Sequence, residues 1–486
     1  MGDAVEARAG HPTSFLRRSF ARFPDKPTFI TPESPDCKST HTSLRPQHAG
    51  SVTTPSIRVF YDIGILARLR ACGVRESGLA RAARELLNAL LADRRVDVAV
   101  VSCEAPFSAL RVCDEAGWSH RFAAPGGVPG RLLLRLVLHL EDVIGCLSSS
   151  RHGLARPLRS LLFRVAHLLK RIPLAPLTSK LLKDGDIYQS SFLSLPDPEI
   201  NTGRCRKFLY LHDVIAIRHP DWFDKESTEE LQRIVASVTP DSWVIANSEF
   251  TRLDFIDLTD FPPARVKVAP LAADRQRFFP CHAAQVHARL RQHIGLGPNQ
   301  PFILSVCTIE PRKNLDKVLK AWQMARLKHG IDNLALVLAG QIGWHQEAFA
   351  ACLDSFGEDR HHIFTPGYMA DEDLAPLYSS ALAFLYLSRY EGFGLPPLEA
   401  MQCGVPVIAS NRTSIPEVVG DSAILVDPDD VETIAGAIRD LHDDPVKAAN
   451  LGRSGVERSS LFSWEKCAAD CIDAYIGAIE TNRREP

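Results

Sequence analysis

Two carboxylates, Glu391 and Glu399, stand eight positions apart in the run Ser388-Arg-Tyr-Glu-Gly-Phe-Gly-Leu-Pro-Pro-Leu-Glu-Ala-Met-Gln-Cys-Gly-Val-Pro-Val. The apolar stretch Leu382-Ala-Phe-Leu-Tyr-Leu387 before them reads as a buried strand. Pro396 and Pro397 suit the first positions of a helix, and Gly404 followed by Pro406 stops it. The spacing predicts strand, glycine turn and short helix, with Glu391 at the strand's carboxyl end and Glu399 in the first helical turn. In an open parallel sheet that edge is where ligands bind. Two carboxylates there accept hydrogen bonds from hydroxyls, and free amides of Gly392, Phe393, Gly394 and Leu395 face an anion. Upstream, Arg312 and Lys313 precede Asn314, a suitable cap for a helix ending near Gly330. A cation at a helix start makes a diphosphate site; with no such ligand it is a solvated basic loop. Hydroxyls plus phosphate describe a nucleotide sugar.

These residues need a scaffold. Strands are expected at 58–65, 96–102, 186–191, 206–212, 242–247 and 266–270, and again at 302–307, 334–339, 363–366, 382–387, 406–410 and 423–427. Helices sit between most of them, among them 78–92, 314–329, 371–380 and 431–442. Strands alternating with helices imply parallel sheets, and two such series imply an α/β protein of two Rossmann-like, doubly wound domains. The boundaries expected are 57–278 for the first domain and 279–463 for the second, with a hinge in 271–300. Residues 464–486 form a terminal helix and tail, and 1–56, rich in proline and without sustained period, a disordered extension. At 486 residues each domain is large enough for its own core, and a net charge of −2 gives no reason to expect nucleic-acid binding. Twelve cysteines show no Cys-x2-Cys spacing, so reduced thiols are expected rather than disulfides or zinc. With no apolar run of membrane-spanning length and no signal-peptide core, the expected location is the cytoplasm.

The run around Glu391 closely resembles the Glu-x7-Glu signature of retaining glycosyltransferases of family 4, which have the GT-B fold. Residues 302–314, Leu211-His-Asp213, Asn247-Ser-Glu-Phe-Thr251, Pro366-Gly-Tyr-Met-Ala-Asp-Glu-Asp-Leu374 and Ile415-Pro-Glu-Val-Val-Gly-Asp421 resemble further motifs of that family, in order, across about residues 58 to 475. The resemblance implies two domains facing a central cleft, the second binding the nucleotide sugar and the first the acceptor. It gives Lys313 and Arg312 to the donor diphosphate, with Thr308 beside them, and Glu399 to the ribose diol. It makes Glu391 a catalytic group that holds donor-sugar hydroxyls and supports positive charge at the anomeric carbon. His212, ending a strand of the first domain, would contact donor sugar or acceptor hydroxyl; a satisfied structural histidine is the alternative. Gly78 and Arg81 resemble the loop that places acceptor or donor sugar, or form a simple turn and cap. Ser248 reads as a helix cap and, secondarily, as cleft lining. Phe393 is expected to be a packing wedge, and Gly394 to let the backbone approach closely. Departing from the pattern, Cys307 stands where many relatives place glycine. GDP-mannose is the first expected donor and a UDP-hexose the second, with a glycan or lipid-linked glycan as acceptor.

No cofactor or metal is expected: Asp427-Pro-Asp429 formally reads Asp-x-Asp, but its place before a helix suits capping. The stretch 131–183 departs from the alternating order. Leu158, Leu161, Leu162, Val165, Leu168 and Leu169 fall on one helical face, with Arg156, Arg159, Arg164, His167 and Lys170 mainly opposite. Such a helix lies on an anionic membrane or packs its leucines on the first domain. Competing functions are a sugar-nucleotide epimerase or phosphorylase of similar architecture, and a non-catalytic binding protein on this fold.

Overall fold

Every strand pairing among the described residues is parallel, and the strand sequences show why. Ala335–Ala339 and Ala383–Tyr386 are buried at every residue, the composition of strands covered by helices on both faces. The computed structural model describes residues 57–482 apart from 74–76, 103–104, 126, 149–154, 171, 173–181, 184, 197–204, 342 and 344–345. Expectations for 1–56 and for parts of the basic stretch lie outside the described residues.

The first sheet contains β1 (Ile57–Asp62), β2 (Val96–Val101), β3 (Ile187–Ser191), β4 (Arg206–Leu211), β5 (Trp243–Ala246) and β6 (Val266–Val268), in the order β2-β1-β3-β4-β5-β6. The second contains β7 (Phe302–Val306), β8 (Ala335–Ala339), β9 (Ile363–Gly367), β10 (Ala383–Tyr386), β11 (Val407–Ser410) and β12 (Ile424–Val426), in the order β12-β11-β10-β7-β8-β9. In each sheet the strand order reverses once, between β1 and β3 and between β7 and β10. Such reversals open a crevice at the carboxyl ends of the strands. Lys313 follows β7 and Glu391 follows β10, so the second reversal places the two beside each other.

The terminal helix Trp464–Asn482 packs on the first sheet: Tyr475 meets Phe208 edge to face at 5.0 Å, and Tyr210 contacts the Cys467 thiol at 3.6 Å. The ten cysteines among the described residues are free thiols.

The basic stretch forms two helices packed on each other, Gly127–Ser148 and Ala155–Leu169. Their apolar faces are covered only in part among the described residues: Leu134, Val137, Leu138 and Ala166 are buried and Leu162 and Leu169 half-buried. Leu132, Leu136, Leu158, Leu161, Val165 and Leu168 are all exposed, Leu168 by 67%. Among the described residues the second helix therefore buries only part of its leucine face. Arg159 and Arg164 are exposed as well.

Asp427-Pro-Asp429 is not the helix cap expected of it. Asp430 caps the helix Val431–Asp443 through the Thr433 amide, while Asp427 and Asp429 pair with Arg412 at 2.8 and 2.9 Å.

Candidate active site

The chain leaving β7 tightens into a 3-10 turn, Pro311–Lys313, before the helix Leu315–Leu327. Asn314 joins the two with φ +58°, and its side chain makes no cap. Its amide donates to the Pro428 carbonyl at 2.8 Å instead.

Lys313 is buried. Its Nζ lies 2.5 Å from Glu391 Oε1 and 2.8 Å from the Tyr386 hydroxyl, which itself donates to Glu391 Oε1 at 2.7 Å. Arg312 Nη1 stands 2.7 Å from Glu391 Oε2, and its Nε 2.7 Å from Glu310 Oε1. Burial alone would raise the Glu391 carboxyl, but the Arg312 and Lys313 charges outweigh it and hold it well below the usual carboxylate range. Glu391 is thus an anion that cannot act as a proton donor near neutral pH.

Beyond Glu391 the chain turns through Gly392, Phe393 and Gly394. Ser414 Oγ donates to the carbonyls of Glu391 and Phe393, each at 2.8 Å. Ser248 and Thr251, from the first domain, donate to the Gly392 carbonyl at 2.6 and 2.9 Å. The N–H groups of Gly392, Phe393, Gly394 and Leu395 have no acceptor among the described residues. A run of unpaired amides beside a helix start is an anion cradle. Gly394 has φ +115°, a conformation that favours glycine, and Phe393 packs edge to face on Phe462 at 5.9 Å.

Glu399 is the fifth residue of the helix Leu395–Gln402, one residue later than a start at Pro396 would make it, because the two prolines take the second and third positions. Its carboxylate accepts from the Tyr378 hydroxyl at 3.1 Å and lies 3.8 Å from Arg81. Burial raises it above the usual carboxylate range. Arg81 also reaches Asp371 at 3.2 Å, so it contacts the second domain from the first. Gly78 opens the helix Gly78–Ala92 behind the Ser77 cap, and an added Cβ there would meet nothing within 4 Å. Thr308 is exposed, outside this network of contacts.

His212 follows β4, with its ring 5.5 Å from Phe192 and 5.2 Å from Tyr210. Burial pushes its pKa down to about 4, so the imidazole is neutral near pH 7. Between the ordinary value of 6.5 and about 4, the unfolded chain takes up a proton that the folded protein refuses. Stability therefore falls as pH drops through that window, by about 3 kcal/mol when complete. A melting series from pH 7 to 4 checks this: His212→Gln flattens the decline relative to wild type.

The two domains touch at this point. A Cβ built on Gly392 would lie 2.0 Å from the His212 carbonyl oxygen. Ser248 both caps the helix Glu249–Thr259, accepting from the Thr251 amide at 3.0 Å, and crosses to Gly392. The Glu417 carboxylate of the second domain accepts from the amides of Glu249 and Phe250 at 2.8 and 2.6 Å. Tyr386, Ser414, Thr251, Tyr378 and Glu417 were not singled out from sequence. Tyr386 reads as strand core, and the others join partners remote in the chain.

Residues 287–458 match the family described as glycosyl transferases group 1. Over 266 residues the chain is 35% identical to O-antigen chain mannosyltransferase B of Escherichia coli, covering 54% of this chain and 68% of that protein. Sucrose-phosphate synthase from Thermosynechococcus elongatus superposes with a TM-score of 0.55 at 19% identity, over 88% of this chain and 99% of that one. Anabaena HepE, solved with UDP and glucose, gives 0.53 at 17% identity, over 86% and 98%. At such identities the structural likeness speaks for the fold alone, and that fold is GT-B.

Proposed function

Because the chain belongs to the group 1 glycosyl transferases and is a glycosyltransferase, we propose that it transfers a hexose, mannose first, from a nucleotide sugar to a glycan or lipid-linked glycan. We assign it to the retaining family 4, with GDP-mannose as donor ahead of a UDP-hexose and no metal ion in the reaction. The observation that carries this reading is Glu391, ionised between Arg312 and Lys313 and followed by four unpaired amides. The mannosyltransferase relative supports the choice of sugar and of cell-surface polysaccharide as the product class.

In this reading the donor diphosphate takes Lys313, Arg312 and the amides of Gly392 to Leu395, which stabilise the charge that grows as the glycosidic bond breaks. Glu399 receives the ribose diol. Glu391 exchanges its cations for sugar hydroxyls and faces the positive charge at the anomeric carbon. The acceptor enters from the side of His212, whose neutral ring contacts it without competing as a charged group, while the departing phosphate takes the acceptor hydroxyl's proton. Domain closure over Gly392 excludes water. A panel of GDP- and UDP-sugars, read by nucleotide release and by NMR of the product's anomeric configuration, tests this. Release from GDP-mannose with an α-linked product is expected. Isomerised donor in the absence of acceptor, or an inverted product, would overturn it.

The same reading holds the protein peripherally on the inner face of the plasma membrane. Its support is the exposed Leu132, Leu136, Leu158, Leu161, Val165 and Leu168 of the helices Gly127–Ser148 and Ala155–Leu169, flanked by Arg159 and Arg164. No helix among the described residues is long and apolar enough to cross a membrane. Replacing Leu161 and Leu168 together by serine is expected to weaken binding to anionic vesicles at least ~10-fold, the scale of two lost apolar side chains. Unchanged partitioning, or a dimer in gel filtration that the double variant dissociates, would assign the face to a protein partner instead.

A further inference from the structure

The cradle beside Glu391 is held open from two sides. In a trans peptide the carbonyl and the N–H of the next residue point in opposite directions, and every described peptide bond here is trans. Whatever holds a carbonyl therefore aims the following N–H. Ser414, in the same domain, holds the Glu391 and Phe393 carbonyls, and so sets the N–H groups of Gly392 and Gly394. The middle peptide is different. Its carbonyl, that of Gly392, is held by Ser248 and Thr251 across the gap between domains.

We propose that Ser248 and Thr251 are positioning residues that fix the Phe393 N–H for the donor when the domains meet, so that closure completes the anion cradle. Both hydroxyls sit in the first turn of one helix, and the second domain grips that same turn through Glu417. Four cross-domain hydrogen bonds thus converge on four consecutive residues, Ser248 to Thr251. Both side chains are buried, with 2% of each residue exposed, so water is a poor substitute for either hydroxyl. Open domains leave the Gly392–Phe393 peptide without its two donors and free to rotate. Closed domains return it to one orientation. The inference rests on the reading that a donor diphosphate faces this turn.

The test uses the full chain, Thr251→Val, Thr251→Ser and the double variant Ser248→Ala/Thr251→Val. Turnover is measured with the active donor of the panel, and GDP and UDP affinity by calorimetry. For the double variant kcat is expected to fall about 10-fold or more with donor KM changed less than about 3-fold, and nucleotide affinity to fall about 5-fold. Thr251→Val shows part of this loss and Thr251→Ser restores it. The inference is overturned if kcat and affinity of the double variant stay within about twofold of wild type. It is equally overturned if Thr251→Ser loses as much as Thr251→Val, which marks a packing role. A wild type that binds nucleotide but turns over no donor removes the transferase reading, and the affinity comparison still decides this one. A wild type that binds neither nucleotide overturns both.

Discussion

Gly392→Ala is expected to lower kcat/KM at least ~100-fold, because a misplacement on the order of 1 Å in a reacting geometry is enough for that loss. The added methyl would sit 2.0 Å from the His212 carbonyl oxygen and 2.8 Å from Asp213 Cβ. The first of these is backbone and cannot swing aside as the tip of a side chain can. The walls must part, and with them go the bonds from Ser248 and Thr251 to the Gly392 carbonyl. Folding suffers less, since each domain keeps its own core; overpacking of this kind costs about 1–3 kcal/mol. The check is steady-state kinetics alongside thermal melting. A near-normal rate would mean that catalysis does not require this contact.

The second large effect concerns the Lys313–Glu391 pair. Lys313→Met should reduce turnover ~100-fold or more, the scale of removing one charge-stabilising group from a transition state. It should also destabilise the fold by about 3–5 kcal/mol, since Glu391 is left buried with half of its neutralising charge gone. Stability and catalysis separate in the double variant Lys313→Met/Glu391→Gln. Removing both charges lets the fold recover, as buried pairs replaced together are often nearly neutral. Turnover stays low. Recovery of both would reduce the pair to a structural bridge and remove Lys313 from the chemistry.

Much of this was legible in the chain, and the exceptions have physical causes. Strands such as 334–339 and 382–387 were readable because burial on both faces writes an unbroken apolar run, and the ends found differ by one residue. Lys313 and Glu391 were readable as a site because each follows a strand. That the two strands are neighbours follows from the sheet order, which no local pattern contains. Glu399 falls one residue deeper in its helix than expected because a proline pair marks a helix start only to within a residue or two. Asn314 has the side chain of a cap but lies in the left-handed region, where it turns to Pro428 instead. The periodicity of Leu158, Leu161, Val165 and Leu168 showed a face, and periodicity alone does not say whether a face is covered. The grip of Ser248 and Thr251 on Gly392 joins residues more than 140 positions apart, and hydroxyls at a helix start were already explained by capping.

The carboxylate wedged between two cations bears on how such a pocket behaves among the small anions of a cell. Orthophosphate brings charge but nothing to occupy Glu391, so its entry strands an acid in a dry place and is disfavoured by several kcal/mol. A sugar esterified to phosphate carries its own compensation, offering hydroxyls to the acid while its phosphates take the bases. In the proposed reading Glu391 is the counter-ion of Arg312 and Lys313, and it gives up that partnership only for a molecule with both halves.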